Sequence, residues 1–483
     1  MAPAQSGLRR CRTPARRPSR PGPSRRPASD GRGARHRRRR RTGDANADRA
    51  GAGQPAGGHP PSQPRAGGFV STSSVPANEV LIAHPGAELY GSDLVMLETV
   101  SALVSAGMRV TVALPSTGPL AAELARRGAG TTVCPTPVLR KSILRPAGAL
   151  RFLADTVRGV VSGLRLLRRV RPDVVYVNTV TLPLWVLLGR LARVPVVAHV
   201  HEAERGGSWP VRRALAAPLL LCNSVISNSQ HCIDVYCESY PSLRGRSRLV
   251  RNPISWPAKP DAARSRLEGA LQVVYVGRLS ERKGVDTAVR ALAEYRSDGH
   301  DAELHLVGDI YPGYEWYLDR LRALVRTEGL TEVVHFHGYQ RDVWPFLAMS
   351  DIVLVPSILE EGFGNTAVEG ILAARPVVVS DTSGLREASA GYASAVRVAP
   401  GASSDLAGAL ALMVREWPRF RLAAGTDQFL ARDRHGVAGY RTSIRQTVLT
   451  AGHPQHLLRQ HPAEQRRTEP RTAAARHLAD QKN

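Results

Sequence analysis

From residue 78 onward, short runs of β-branched and other apolar residues alternate with longer stretches whose apolar positions recur at helical spacing. The candidate strands of the first half are Val80–Ala83, Val110–Leu114, Val174–Asn178, Val196–Val200 and Val225–Asn228. Those of the second half are Val273–Gly277, Glu303–Val307, Val333–Phe336, Ile352–Pro356 and Val377–Ser380. Helical patterns fall between them at Asp93–Ala106, Thr181–Arg193, Val285–Ser297, Tyr314–Glu328 and Thr366–Ala374. Continuous apolar strands alternating with helices predict parallel sheets covered on both faces. The expected fold class is therefore α/β, with two Rossmann-like doubly wound domains. Two prolines break the pattern at Asn252-Pro253-Ile254-Ser255-Trp256-Pro257, which places the boundary there. The expected division is 76–255 and 256–430, then a terminal helix over 431–450. Ligands of open α/β sheets lie beyond the carboxyl ends of the strands, so two facing sheets would hold a ligand between them.

The chain has 483 residues and a formal charge of +25, which at first suggests a nucleic-acid partner. Location changes that picture. Residues 1–70 hold 17 Arg and 3 Asp, net +14, and residues 451–483 add a net +3, leaving +8 for the remainder. The first tail is rich in Pro, Gly, Ala, Ser and Arg, with a run from Arg37 to Arg41. Such a composition offers too little apolar surface to offset chain entropy, so 1–75 and 451–483 are expected to be disordered. The first tail reads either as a polyanion-binding arm or as a dispensable extension, and it has no apolar segment of a secretory signal. The five cysteines show no CxxC pair and no Cys/His metal spacing, and they read as reduced core residues of a cytoplasmic protein. Leu182–Val200 comes nearest to a membrane span, but Arg190 and Arg193 interrupt it.

The chemistry is concentrated in Glu361-Gly362-Phe363-Gly364-Asn365-Thr366-Ala367-Val368-Glu369. A strand, a glycine turn and a helix N-terminus follow one another, the arrangement that offers backbone N–H groups and a positive dipole end to an anion. Glu361 and Glu369 suit the opposite task of accepting hydrogen bonds from hydroxyls. Arg278 and Lys283 lie in the turn after the first strand of the second half, where Arg can grip phosphate oxygens in a bidentate fork and Lys adds a mobile charge. Gly91 and Ser92 open another helix after a loop, as a second anion cradle or as a plain cap by Ser92 or Asp93. His201 ends an apolar strand, and His199 shares its strand face.

The ordered set Gly277-Arg278-Leu279, Lys283-Gly284, Gly308, Phe336-His337-Gly338, Pro356-Ser357, the Glu361…Glu369 block, Arg375-Pro376-Val377-Val378, Gly384-Leu385 and Glu387 resembles the C-terminal domain of GT-B retaining glycosyltransferases of family 4, the glycogen-synthase and mannosyltransferase-like group. His84-Pro85, Tyr90-Gly91-Ser92-Asp93, Pro172-Asp173-Val174-Val175-Tyr176, His199-Val200-His201-Glu202, Asn228-Ser229 and Asn252-Pro253 extend the resemblance to roughly residues 78–430. The sequence departs from the pattern at Gly370, at Ala374, where glycine is usual before x-Pro, and at Ser383, which replaces the first glycine of a pair.

The resemblance implies a GT-B fold and transfer of a hexosyl group from a nucleotide-diphosphate sugar, with retention of configuration and no metal in catalysis. It implies no cofactor beyond the co-substrate and a glycan or lipid-linked acceptor in cell-surface polysaccharide or glycolipid synthesis. It assigns Arg278 and Lys283 to the diphosphate, Glu361 to the sugar hydroxyls beside the backbone of Gly362, Phe363, Gly364, Asn365 and Thr366, and Glu369 to the ribose. It places His201 near the reacting carbon and the base near Tyr339. No Asp-x-Asp occurs in the folded part.

Residues 147–171 add a basic amphipathic helix. Arg151, Arg158 and Arg165 recur every seven residues with Arg168 and Arg169, opposite Leu150, Leu153, Val157, Val160, Val161, Leu164 and Leu167. This pattern fits either an anionic membrane surface at the inner face of the plasma membrane or an ordinary helix packed on the first sheet. The rival readings are a GT-B-shaped epimerase or phosphorylase and a nucleic-acid-binding protein using the Arg-rich arm. Residues 78–430 lack the interleaved basic and aromatic positions that the last requires, so no nucleic-acid partner is expected.

Overall fold

The computed structural model describes residues 79–89, 91–139, 146–202, 205–257 and 261–452. The expected tails, 1–75 and most of 451–483, lie outside the described residues, as do Cys11 and Tyr90. The first domain runs β1 (Glu79–Ala83), α1 (Gly91–Val104), β2 (Arg109–Leu114), α2 (Pro119–Arg126), β3 (Gly130–Val133), α3 (Pro146–Val170), β4 (Val174–Val177), α4 (Pro183–Leu191), β5 (Val196–Val200), α5 (Trp209–Ala216), β6 (Ser224–Ser227), α6 (Gln230–Ser239) and β7 (Ser247–Leu249). Its seven strands are all parallel in the order β3-β2-β1-β4-β5-β6-β7.

The second domain runs β8 (Leu271–Val276), α7 (Val285–Ser297), β9 (Ala302–Val307), α8 (Glu315–Thr327), β10 (Val334–Gly338), α9 (Trp344–Met349), β11 (Ile352–Val355), α10 (Asn365–Leu372), β12 (Val377–Ser380), α11 (Ser383–Ala388), β13 (Ala395–Val398), α12 (Ser403–Arg415) and α13 (Trp417–Arg434). Its sheet is also parallel, in the order β10-β9-β8-β11-β12-β13. Strand order reverses between β1 and β4 in one sheet and between β8 and β11 in the other. Those switch points open the crevices where α/β sheets take ligands.

The central strands are apolar along their whole length because helices cover both faces. Val80, Leu81, Ile82 and Ala83 of β1 and Ile352, Val353 and Leu354 of β11 have almost no exposure. Three strands, β3, β7 and β13, are absent from the sequence reading. Each sits at or next to a sheet edge, is partly exposed, and carries Thr, Ser or Arg in place of an apolar run. Ile254 joins the second core beside Val274 and Val353.

A last helix, α14 (Val437–Gly452), returns to the first domain. Tyr440, Ile444, Val448 and Ala451 pack among Val95, Val100 and Leu103 of α1. Ile444 and Val448 are fully buried and stabilise this attachment by roughly 1.5–3 kcal/mol each. The Tyr440 hydroxyl and Thr99 Oγ1 share a hydrogen bond of 2.6 Å, and Arg441 pairs with Glu98. α13 runs to Arg434 with Ala431 buried in the second core, and α14 begins at Val437.

Candidate active site

Val276 ends β8, and the chain turns through Gly277 and Arg278. The buried Tyr275 hydroxyl donates to the Arg278 carbonyl at 2.7 Å, which fixes this turn from beneath. The Arg278 guanidinium lies 5.0 Å from the centre of the Tyr311 ring. One turn of 3-10 helix over Glu281–Lys283 then delivers Lys283 into the cleft and ends in left-handed backbone at Gly284 (φ 65°).

Lys283 Nζ stands 2.6 Å from Glu361 Oε1, and Ser357 Oγ donates to the same oxygen at 2.7 Å. Burial alone would raise the Glu361 pKa, but Lys283 and Ser357 together hold it below the ordinary carboxylate value. Glu369, in α10, has weaker compensation. Burial pushes its carboxyl up to about 7 against a smaller pull from Lys283. The two glutamates therefore differ in proton occupancy near neutral pH although one lysine acts on both. Gly364 precedes the first turn of α10, and Thr366 Oγ1 donates to the Val276 carbonyl at 3.3 Å, tying that turn to the end of β8. The Phe363 ring is buried in the second core, against His435, which leaves its backbone to serve a ligand.

The Glu361–Phe363 backbone is crowded from both sides. A Cβ at Gly362 would collide with the His201 carbonyl of the other domain, and one at Gly384 would collide with the Glu361 carbonyl. The second of these explains the departure at Ser383. Only the position after it must lack a side chain, and Ser383 Oγ instead donates to Glu360 at 3.0 Å.

On the first domain, four polar residues meet at the switch point. His201 Nε2 lies 3.2 Å from Asn178 Oδ1, Asn178 Nδ2 lies 3.0 Å from His84 Nδ1, and His84 Nε2 lies 2.7 Å from Asp93. One proton order satisfies all three contacts: each ring donates through Nε2, and Asn178 accepts from His201 while donating to His84. His201 is thereby left with Nδ1 as an acceptor. Burial, helped by neighbouring His84 and opposed by Asp93, lowers its pKa to about 3, so the ring is neutral at physiological pH. His199 is fully buried, its ring centre 3.9 Å from that of His201 and its Nδ1 2.7 Å from the Tyr176 hydroxyl. His84, Asp93 and Asn178 were not assigned as site residues from sequence, although all three follow strand ends or open a helix.

The N-termini of α1 and α10 face each other across the cleft. The Asn365 amide lies beside Gly91, and Asn252 Nδ2 donates to Asn365 Oδ1 at 2.9 Å. Ser92 is exposed on the first turn of α1. Tyr339, also exposed, reaches toward the Leu89 carbonyl at 3.5 Å. The cleft thus collects Arg278, Lys283, two helix N-termini, Glu361, Glu369 and a neutral His201. That arrangement can hold a ligand carrying both anionic groups and hydroxyls.

Two facing doubly wound domains with this site at their switch points define the GT-B architecture. Residues 270–416 match the glycosyl transferases group 1 family, and residues 91–233 match the glycosyl transferase 4-like domain. The chain belongs to the GT4-like glycosyltransferases. It is 28% identical over 275 residues to a Mycobacterium tuberculosis glycogen synthase, covering 52% of this chain and 63% of that protein. It is 26% identical over 315 residues to the 2-deoxystreptamine glucosyltransferase of Streptomyces kanamyceticus, covering 57% and 76% of the two chains. A structure of Anabaena HepE in complex with UDP and glucose superposes with a TM-score of 0.64 at 21% identity, covering 77% of this chain and 99% of the other.

Proposed function

We propose that this protein moves a hexosyl group from a nucleotide-diphosphate sugar to a glycan or lipid-linked acceptor, with retention of configuration and without a metal ion in the transfer step. The observation that carries this reading is the Lys283–Glu361 pair set between Arg278 and the first turn of α10. Arg278, Lys283 and the N-terminus of α10 hold the diphosphate and stabilise the charge that grows on it as the glycosidic bond breaks. Glu361 accepts from the sugar hydroxyls and Glu369 from the ribose. His201 faces the reacting carbon as a neutral imidazole, and the departing phosphate takes the acceptor proton. The UDP and UDP-glucose held by HepE structures make a uridine donor the first to test.

The acceptor reading draws on α3. Val160, Leu164, Leu166 and Leu167 pack on the first sheet, but Leu150, Leu153, Val157 and Val161 form an exposed stripe along the helix. Exposed Leu187 and Leu191 of α4 extend it, and Arg158, Arg165, Arg168, Arg169, Arg190 and Arg193 are exposed on the same two helices and the loop after α4. An apolar stripe bordered by arginines suits the interface of an anionic membrane, and the enzyme works there as a peripheral protein on the cytoplasmic side. No helix of the described residues is long and apolar enough to cross a membrane.

Thermal-shift screening against UDP-, GDP- and ADP-sugars tests the donor assignment, since a bound donor raises the melting temperature. Stabilisation by one nucleotide class is expected. No stabilisation by any nucleotide or nucleotide-sugar would sink the proposal.

A further inference from the structure

The second sheet carries a cluster of imidazoles that the donor site does not use. Glu303 and His305 lie two apart on β9, and His335 and His337 lie two apart on β10, so each pair shares a strand face. His335 pairs in register with His305, which brings the two faces together. Gln272 of β8 pairs with Glu303 and completes the row. A ligand atom from each of Glu303, His305 and His335 lies within 4.8 Å of the others. The cluster sits along the strands, whereas the donor cleft lies beyond their carboxyl ends.

The hydrogen bonds set one ring nitrogen as an acceptor. Gln272 Nε2 donates to the Ala270 carbonyl at 3.3 Å, so its Oε1 is the atom that faces His305 Nε2 at 2.8 Å. His305 therefore donates through Nε2 and carries its lone pair on Nδ1. That nitrogen points at His337 Nε2, 3.0 Å away. His335 Nε2 stands 3.0 Å from Glu303 Oε2. An imidazole oriented by an outer hydrogen bond, with its other nitrogen directed at a further imidazole and an imidazole–carboxylate pair close by, is the arrangement found around bound metal ions. His305 is buried, while the Glu303 and His335 side chains are 35% and 38% exposed, which gives an entry path and room to turn.

We propose that Glu303, His305 and His335, with His337 as a fourth donor, form a binding site for a divalent transition-metal ion of the zinc type. One carboxylate and imidazole nitrogens match the donor preference of zinc and exclude magnesium and calcium, which take oxygen ligands. Bonds of about 2.0–2.1 Å in a tetrahedron need donors about 3.3 Å apart, and rotation of the Glu303 and His335 side chains closes the difference. The ion pins β9 to β10. His337 lies where the β10 register shifts, between Phe336 and Gly338, two residues before Tyr339, so the ion also anchors the loop that borders the donor cleft.

The test reads metal binding and not transfer, so it is independent of the donor assignment. Full-length protein is treated with a chelator, desalted and titrated with zinc chloride by calorimetry, beside the Glu303→Gln/His335→Gln double variant. Both changed side chains are partly exposed, so the variant folds, which circular dichroism checks. His36, His59 and the histidines after residue 452 supply a background common to both proteins. The expected result is one zinc equivalent present in the wild type and missing in the variant, and a zinc-dependent rise in Tm of roughly 2–5 °C seen only in the wild type. Gln272→Ala is expected to weaken that equivalent by about tenfold to a hundredfold, because it frees the His305 ring. Identical titrations of wild type and double variant would overturn the proposal, as would a Gln272→Ala protein with unchanged zinc affinity.

Discussion

Glu387 of the second domain accepts a hydrogen bond from the backbone N–H of His231 in the first, at 3.0 Å, and its other carboxylate oxygen takes the N–H of Gln230 at 2.9 Å. The carboxylate thus caps the first turn of α6 from across the cleft, where the helix dipole favours negative charge. Ser229 caps the same helix from within, bonding Cys232 N–H, and its hydroxyl also donates to the Gly362 carbonyl at 2.5 Å. His231 Nε2 meets Glu360 at 3.0 Å. These contacts hold the closed arrangement and place the Glu361 loop against His201.

Glu387→Ala should therefore shift the molecule toward an open form. Losing two charge-assisted bonds lowers the closed-to-open ratio by roughly 5- to 30-fold. Small-angle scattering should show a larger radius of gyration, and the donor KM should rise. A variant with unchanged scattering and a KM within twofold of wild type would show that the contact does not govern closure.

The roles proposed for Lys283 and Glu361 separate binding from turnover. Lys283→Met removes the cation proposed to face the leaving group, and kcat should fall by roughly 10²–10³. Glu361 loses its main compensation against burial, so its pKa should rise and the acid limb of the pH–rate profile should move upward. Glu361→Ala should mainly depress kcat, whereas Glu369→Ala should mainly raise the donor KM. Steady-state kinetics with varied donor decide the matter, and a pure KM effect for Glu361→Ala would contradict its placement on the sugar.

The proposed ribose contact of Glu369 would make donor binding pH-dependent. With its pKa at about 7, that carboxylate is only partly formed at neutral pH. Donor affinity measured by calorimetry should climb as pH rises from about 6 to 8, and Glu369→Gln should flatten the curve. Stability runs the opposite way. The folded state keeps a proton that the unfolded chain releases near pH 4.5, so the Glu369 contribution falls as pH rises from there through about 7. Glu369→Gln should remove that decline from denaturation curves.

The exposed stripe of α3 predicts lipid binding. Wild-type protein should co-sediment with anionic vesicles and release at high salt. Changing Arg158, Arg165 and Arg169 to Glu should abolish the interaction while leaving the melting temperature near wild type, since all three are exposed. Equal sedimentation of that variant would sink the membrane assignment.

Ala374 adopts φ 55° in the turn between α10 and β12, a conformation that strains any residue with a Cβ. Glycine is the usual residue there in the resembled family, and Ala374→Gly should stabilise the protein by about 0.5–1 kcal/mol in equilibrium denaturation. The neighbouring Arg375 is buried and donates to the carbonyls of Ser350, Asp261, Ala373 and Ala348, so the turn is held in place despite the strain.

The sequence alone determined the two-domain parallel architecture and the strand, glycine turn and helix start that carry Glu361 and Glu369. Those features are local: a buried parallel strand must be apolar throughout, and a strand, glycine turn and helix start are consecutive in the chain. The strands β3, β7 and β13 escaped because edge positions do not demand an apolar run. Tertiary structure alone decided what depends on distant segments meeting. It turned Phe363 into the core and joined His201 to Asp93 through Asn178 and His84. It set Glu387 on α6 and gathered four side chains of β9 and β10 into one cluster. Periodicity shows which face a residue occupies on its own element, but the partner of that face is chosen by packing between elements far apart in the chain.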